Sequence, residues 1–426
     1  MKIVVVNLHS LENIGDLAIL QELICSLHRA FPNAEIVYTV NYINTSGWTP
    51  DNATSKLSFV SWLAHPTAQG TWKWRKWLFV PMALWFVLVT TLFRYFKLRL
   101  LPLQIQRRSL MLDYYDADML VSFGGGHFYA RTRLSISFLW NWLIMALAIW
   151  MGKPLILMPQ SIGPIAGRLQ RRLMKWLVEH AALTAVREYY SLQLLVASGV
   201  KTSVLVLPDL AFAGSQESIV VTEPQLATIW PIVDASRPLI GITVMNWGNQ
   251  NNLFHHQDRY EQAICALIEH IHRVYRGQVI LFAQVFGPSS DQDDRIITRV
   301  IAARFTNDVY VVDAMWSPNM MQTAYSRLDA MVGTRMHSVI LSMCTGTPAI
   351  AIGYLYKSVG IMETVGLSDY VLDINTIDST AACALFDRLW SQRHIIRKHL
   401  HQRIPALEHT LRHFSTLIAQ TSRIAP

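Results

Sequence analysis

Short, unbroken apolar runs recur along this sequence, each closed by glycine or polar residues and followed by a stretch of helical length. A run with no polar alternation must be covered on both faces, which is the situation of a strand in a parallel sheet flanked by helices. The first run, Ile3–Val6, leads through the loop His9–Asp16 into an amphipathic helix ending near Ala30. Further strands are expected at Glu35–Val40, Met119–Phe123, Leu155–Met158, Thr184–Arg187 and Val204–Leu207. An apolar helix is expected near 135–151, and a basic one carries Arg168, Arg171, Arg172 and Lys175. Alternation of this kind, with turn residues at the strand ends, predicts a doubly wound parallel sheet.

Periodicity fades over 214–237, where Pro224 and Pro231 fall, and a second alternating series begins after Pro238. Its strands are expected at Leu239–Val244, Val279–Ala283, Val309–Val312, Ala330–Val332 and Ala349–Ile352, with helices over about 258–275, after Asp291, near 318–327 and from about His337. A chain of 426 residues is too long for one ordinary core. The expected class is therefore α/β, with two Rossmann-like doubly wound domains, 1–225 and 226–426, facing a cleft. Ligands of open α/β sheets bind at the carboxyl ends of the strands, on that side. The last stretch, about 378–420, reads as helix with room to pack back across the first domain.

Apolar residues make up 52% of the chain and charged residues 15%, which excludes a disordered protein. A formal charge of +8 with 14 tryptophans fits an anionic substrate or an anionic membrane surface. No dense basic stripe or RNA-binding aromatic motif is present, so nucleic acid is not an expected partner. Cys25, Cys265, Cys344 and Cys383 have neither paired nor metal-like spacing and read as buried or half-buried free thiols in a reducing compartment. The run after Met1 is too brief for the core of a signal peptide, so a cytoplasmic protein is expected.

One segment, 62–112, breaks the alternation as an apolar, tryptophan-rich insertion. Trp72-Lys73-Trp74-Arg75-Lys76-Trp77 leads into a charge-free stretch from Trp77 to Phe93, and Arg94, Lys97 and Arg99 follow. A single membrane crossing here would put the strands at Ile3 and Met119 on opposite sides of a bilayer, although both belong to one sheet. An in-plane or re-entrant helix contacting the membrane surface through 72–99 satisfies both constraints, and packing on the protein or at an oligomer contact is the alternative. The apolar helix near 135–151 is better read as a buried crossover whose outer face is available to 77–93.

Gly124-Gly125-Gly126 follows a strand and lets a ligand approach the backbone, or simply makes a tight turn. It is not a dinucleotide fingerprint, and no Walker A, HExxH or GxSxG pattern occurs. Arg335 and His337 follow the strand ending at Val332-Gly333 and open a helix, the preferred setting for an anion. Arg335 offers a planar fork for carboxylate or phosphate, and His337 is a general acid or base near neutral pH. Equally, Arg335 pairs with an acidic residue and His337 caps the helix. Asn13 and Asp16 are candidates for acceptor contact or proton removal, or equally for a helix cap. Asp291, Asp293 and Asp294 read as helix N-terminal charge.

These pieces occur in one order: Asn13-Ile14-Gly15-Asp16, Gly124-Gly125-Gly126-His127, Gln160-Ser161-Ile162-Gly163-Pro164, Val186-Arg187 with Ser191, Gly241-Ile242-Thr243-Val244, and Gly333-Thr334-Arg335-Met336-His337. In that order the sequence resembles the polysaccharide pyruvyl transferase family. The resemblance implies a GT-B-like fold, phosphoenolpyruvate as donor, a glycan or glycolipid acceptor, and a pyruvyl ketal on a sugar as product. It further implies that Arg187 and Arg335 hold the donor's phosphate and carboxylate and that His337 is the catalytic acid. No metal and no cofactor is called for. Gly125 and His127 join Asn13 and Asp16 as substrate-contact candidates. Where many members carry an arginine, this chain has Met245-Asn246-Trp247, and Lys357 is the candidate to compensate. A peripheral enzyme at the inner face of the plasma membrane is expected. The alternatives are a GT-B-type sugar-nucleotide glycosyltransferase and a non-catalytic membrane-associated scaffold of glycan assembly.

Overall fold

The computed structural model describes residues 1–42, 50, 52–59, 61, 79–215, 233–250, 254–353 and 356–421. Trp72–Trp77, at the start of the expected membrane segment, lies outside the described residues, as does most of the expected linker. The contacts divide the chain into two units. The first comprises Met1–Leu11, Ile19–Leu210 and the chain from Thr410 on; the second comprises Glu12–Ala18 and Ala211–His409.

In the first unit the strands are β1 (Lys2–Leu8), β2 (Glu35–Val40), β3 (Ala53–Leu57), β4 (Met119–Ser122), β5 (Phe128–Ala130), β6 (Leu155–Gln160), β7 (Ile162–Ile165), β8 (Leu183–Val186) and β9 (Leu205–Val206). Seven form one sheet in the order β3-β2-β1-β4-β6-β8-β9, every neighbouring pair parallel, and β5 pairs with β7 separately. Ile3, Val4, Val5 and Val6 of β1 are all fully buried. That is why their run carries no polar alternation. The strand order reverses between β1 and β4, where Ile3 stands beside Met119 and Val4 beside Leu120. Such a reversal opens a crevice at the carboxyl ends of both strands.

Around this sheet lie α1 (Ile14–Ala30), α2 (Phe79–Phe96), α3 (Ile105–Asp116), α4 (Ile136–Trp150), α5 (Arg168–His180) and α6 (Tyr189–Ala197). α4 is a buried crossover as expected, with ten of its residues in the core. Phe86, Val89 and Phe93 of α2 join the same core, and the Phe79 ring meets Trp140 of α4 edge-on at 4.8 Å. The polar strands β3 and the short β5 and β7 lack the apolar runs that mark the others.

The second unit has β10 (Leu239–Thr243), β11 (Gln278–Phe282), β12 (Val309–Val312), β13 (Ala330–Gly333), β14 (Ala349–Gly353) and β15 (Val371–Asp373) in one parallel sheet, ordered β12-β11-β10-β13-β14-β15. This is the dinucleotide-fold order, with its switch point between β10 and β13. The crossover helices are α7 (Gln257–Tyr275), α8 (Asp294–Ala302), α9 (Pro318–Tyr325), α10 (Met336–Cys344) and α11 (Tyr356–Val365). α7 buries Ile264, Leu267, Ile268 and Ile271. These recur at helical spacing and are worth about 1.5–3 kcal/mol each. The chain then runs through α12, Ser379–Thr421, a single helix. All four cysteines are free; Cys25 is exposed rather than buried or half-buried.

Candidate active site

In the second unit, strands β10, β11 and β13 end together, and the residues after each build one polar site. After β13, Thr334 N–H donates to the Thr243 carbonyl at 3.2 Å, closing the switch point. Tyr260 and Thr334 share a hydroxyl hydrogen bond of 2.8 Å, as do Thr243 and Ser338. Arg335 is the N-cap of α10, and its carbonyl accepts from the Ser338 hydroxyl at 2.6 Å. His337 sits one residue into that helix, half-buried, where the first-turn N–H groups lend positive potential.

Arg335 is held from behind. Its Nε donates to Asp294 Oδ2 at 3.0 Å and its Nη2 to Oδ1 at 2.5 Å, a two-pronged pairing that leaves the side chain 13% exposed. Asp294 is fully buried and also accepts from the backbone N–H of Val285 at 3.0 Å and Gln284 at 3.3 Å. Burial pushes its carboxyl upward, against the pull of the Arg335 guanidinium and the two amides. The acidic partner weighed for Arg335 is thus real, and it fixes the plane of the guanidinium at the mouth of the switch point. Of the acidic cluster read as helix N-terminal charge, Asp291 and Asp294 lie in first turns and Asp293 caps α8, accepting from the Arg295 amide at 3.0 Å.

The Asn13–Asp16 loop completes this site, since it counts with the second unit. Asn13 pairs with Val285 in an isolated antiparallel bridge, and Ile14 N–H donates to the Gln284 carbonyl at 3.1 Å. Asn13 is also the cap of α1, its Oδ1 accepting from Gly15 N–H at 2.9 Å. Asp16 lies in the first turn of that helix. Gly15 lies flat against His337: a Cβ there would stand 2.1 Å from the imidazole Nδ1. No other residue type allows this approach without moving the ring. Lys357 opens α11, after β14, on the same carboxyl edge of the sheet. Where the arginine of many relatives would fall, Met245 is buried, its N–H donating to Tyr260 Oη at 3.4 Å. Asp294, Gly15, Tyr260 and Thr334 were not among the expected site residues; the glycine in Asn-Ile-Gly-Asp was the one visible signal.

Arg187, expected from the resemblance to contact the donor, is buried among partners of its own. The side chain is 2% exposed, with Nε donating to Ser161 Oγ at 2.7 Å and Nη1 bound to Asp209. Ser161 in turn donates to Glu188 Oε2 at 2.9 Å, and Ser191 Oγ accepts from Ile162 N–H at 2.7 Å. Ser161, Arg187 and Ser191 thus form a buried polar network that ties β6 to β8. Gly124 permits the close pass of β4 and β6, since a Cβ there would come 2.7 Å from the Pro159 carbonyl. Gly125 is buried, its carbonyl accepting from Ser161 N–H at 3.1 Å. His127 is half-buried, its ring 4.7 Å from that of Phe128 and its carbonyl accepting from Asn141 Nδ2 at 3.3 Å. Asn7, in the left-handed region at φ 71°, donates to the Asn141 carbonyl at 3.2 Å. Asn7 and Asn141 add polar groups at the β1–β4 reversal. Among the described residues no cluster of three His, Cys, Asp or Glu suits a metal ion.

A family model for polysaccharide pyruvyl transferase matches residues 13–356. The amylovoran biosynthesis protein AmsJ of Erwinia amylovora is 27% identical over 290 residues, covering 66% of this chain and 67% of its own. The UDP-GlcNAc 2-epimerase of Neisseria meningitidis has a similar structure, with a TM-score of 0.63 at 10% identity over 99% of this chain and 100% of its own. A glycosyltransferase of Rickettsia africae reaches a TM-score of 0.58 at 8% identity over 100% of this chain and 99% of its own. At such identities the likeness is one of fold, the two-domain Rossmann-like architecture of GT-B proteins.

Proposed function

Since the chain belongs to the polysaccharide pyruvyl transferase family, and is thus a transferase, we propose that it carries the pyruvyl group of phosphoenolpyruvate onto two hydroxyls of a sugar in a surface polysaccharide or its lipid-linked precursor. The observation that carries this reading is the approach of Gly15 to His337 beside an Arg335 fixed by Asp294. An oriented guanidinium and an imidazole at a helix N-terminus suit a small dianionic donor.

In this reading Arg335 binds the donor's phosphate or carboxylate, with Lys357 as a second cation on the same edge. His337 delivers a proton to the methylene carbon of the enol. The resulting oxocarbenium-like carbon is attacked by one sugar hydroxyl, which gives up its proton. The carbon–oxygen bond to phosphate then breaks, and a second hydroxyl closes the ketal as its proton leaves. The sum is phosphoenolpyruvate plus a diol giving a ketal plus inorganic phosphate. Positive charge near the donor lowers the barrier where negative charge builds on the departing phosphate. A soluble phosphoester donor and a lipid-borne acceptor place the reaction at the cytoplasmic face of a membrane.

The test is incubation of purified protein with phosphoenolpyruvate and a membrane glycolipid extract, following phosphate release and acid-labile pyruvate on the glycan. Turnover with a nucleotide sugar, and none with phosphoenolpyruvate, would move the assignment to glycosyl transfer.

A further inference from the structure

α2 has two unlike faces. Phe86, Val89, Thr90 and Phe93 are buried; the Phe86 ring lies 5.2 Å from Phe59 and the Phe93 ring 4.7 Å from Tyr115. On the opposite stripe, Val80, Leu84, Val87, Leu88 and Tyr95 are exposed at i, i+4, i+7, i+8 and i+15, with Leu84 67% exposed. The apolar exposure continues from Phe96 at the helix end through Leu98, Leu100, Leu101 and Leu103 to Ile105. A contiguous patch of this kind on a folded unit marks a surface that something covers. Interleaved with it are Arg94, Lys97, Arg99, Arg107 and Arg108, and the sequence from Phe79 to Leu112 contains no acidic residue.

We propose that this outward face of α2, with the chain leading into α3, docks in the plane of an anionic lipid surface. α2 is long and apolar enough to cross a membrane by length and composition. Its buried stripe, however, forms part of the first unit's core, so a crossing would strip that core, whereas in-plane docking uses only the stripe that is already exposed. Leucine, valine and tyrosine enter the acyl boundary while arginine and lysine stay at the phosphates. A second copy of this chain is the other occupant to consider. A two-fold contact would set the same patch against itself, bringing like charge against like; Arg99 already has its acidic partner in Asp116 at 2.8 Å, and the segment from Phe79 to Leu112 offers no acidic residue to the other copy. Anionic headgroups supply the missing charge. The inference stands apart from the donor chemistry, so either can fail alone.

The experiment is co-sedimentation of the full-length chain with vesicles of phosphatidylcholine alone and of phosphatidylcholine with phosphatidylglycerol. Binding to the anionic vesicles should exceed binding to neutral ones by about tenfold or more and weaken with salt. Leu84→Asp with Leu88→Asp should cut that binding by about tenfold or more while circular dichroism and thermal melting stay as in the parent. Lys97→Glu should lower binding to anionic vesicles only. Binding left intact by the Leu84/Leu88 pair overturns the inference. So does a parent chain that ignores vesicles but dimerises in light scattering, with the dimer lost in that pair.

Discussion

His337 and Arg335 stand two positions apart yet have different jobs in the proposed reaction, and single substitutions separate them. His337→Ala should lower turnover by about 10²–10⁴-fold, the usual loss of a general acid, while phosphoenolpyruvate affinity by calorimetry changes little; normal turnover would remove the histidine from the mechanism. Arg335→Met should weaken donor affinity. It also leaves Asp294 buried without its guanidinium, costing about 3 kcal/mol of stability. Adding Asp294→Asn should recover the melting temperature and leave donor affinity low. Recovery of both would mean that Arg335 serves the fold alone. Gly15→Ala offers the sharpest test. Alanine favours a helix over glycine by about 1 kcal/mol, yet its Cβ would press on His337 Nδ1. The fold should hold while kcat falls about 100-fold, the typical result of misplacing a catalytic group by an ångström. An unchanged kcat would show the imidazole free to work elsewhere. The Arg335–His337 pair was legible in the sequence because both sit at one strand–helix junction. Asp294 was not, because an aspartate opening a helix looks the same whether it caps that helix or reaches a distant arginine. Only packing decides which.

At the scale of elements, α3 and α4 are pinned through Lys153, which follows α4. Its Nζ donates to the Tyr115 carbonyl at 2.8 Å and to that of Ala117, and lies 5.5 Å from the centre of the Phe93 ring of α2. Burial lowers its ammonium from 10.5 to about 8, a shift that Asp118 and Asp116 oppose. The unfolded chain therefore holds the proton more tightly than the folded one. The burial penalty is felt in full below about pH 8 and eases as pH rises toward 10.5. Lys153→Met should flatten that rise in thermal stability between the two values, and an unaltered pH profile would count against the burial account. The strands with continuous apolar runs were readable from sequence. β3 was not, because an edge strand reading Ala-Thr-Ser-Lys-Leu need bury little. The network around Arg187 was not readable either: a buried ion-pair network uses the same residue types as a phosphate site.

For the whole molecule, the chain passes between its two units more than once. Glu12–Ala18 count with the second unit and the residues from Thr410 with the first. A fragment ending at Leu210 should therefore fail to fold cooperatively. It should show no sharp thermal transition, and adding the segment from Thr410 on as a tethered extension should restore one. A sharp transition in the bare fragment would contradict this. The sequence allows the last helix to pack back across the first domain, but nothing in it assigns Glu12–Ala18 to a unit, because that depends on side chains brought together from far apart.

The same arrangement bears on how a ribosome delivers the protein. Gly15, which lies against His337, is made long before the histidine exists, and the segment from Thr410 that belongs to the first unit is made only after the second unit's Ala211–His409. Vectorial synthesis cannot complete one half and then begin the other. The nascent chain must carry both halves unfinished until the residues from Thr410 have been made, so that maturation of the site and closure of the fold become late, joint events.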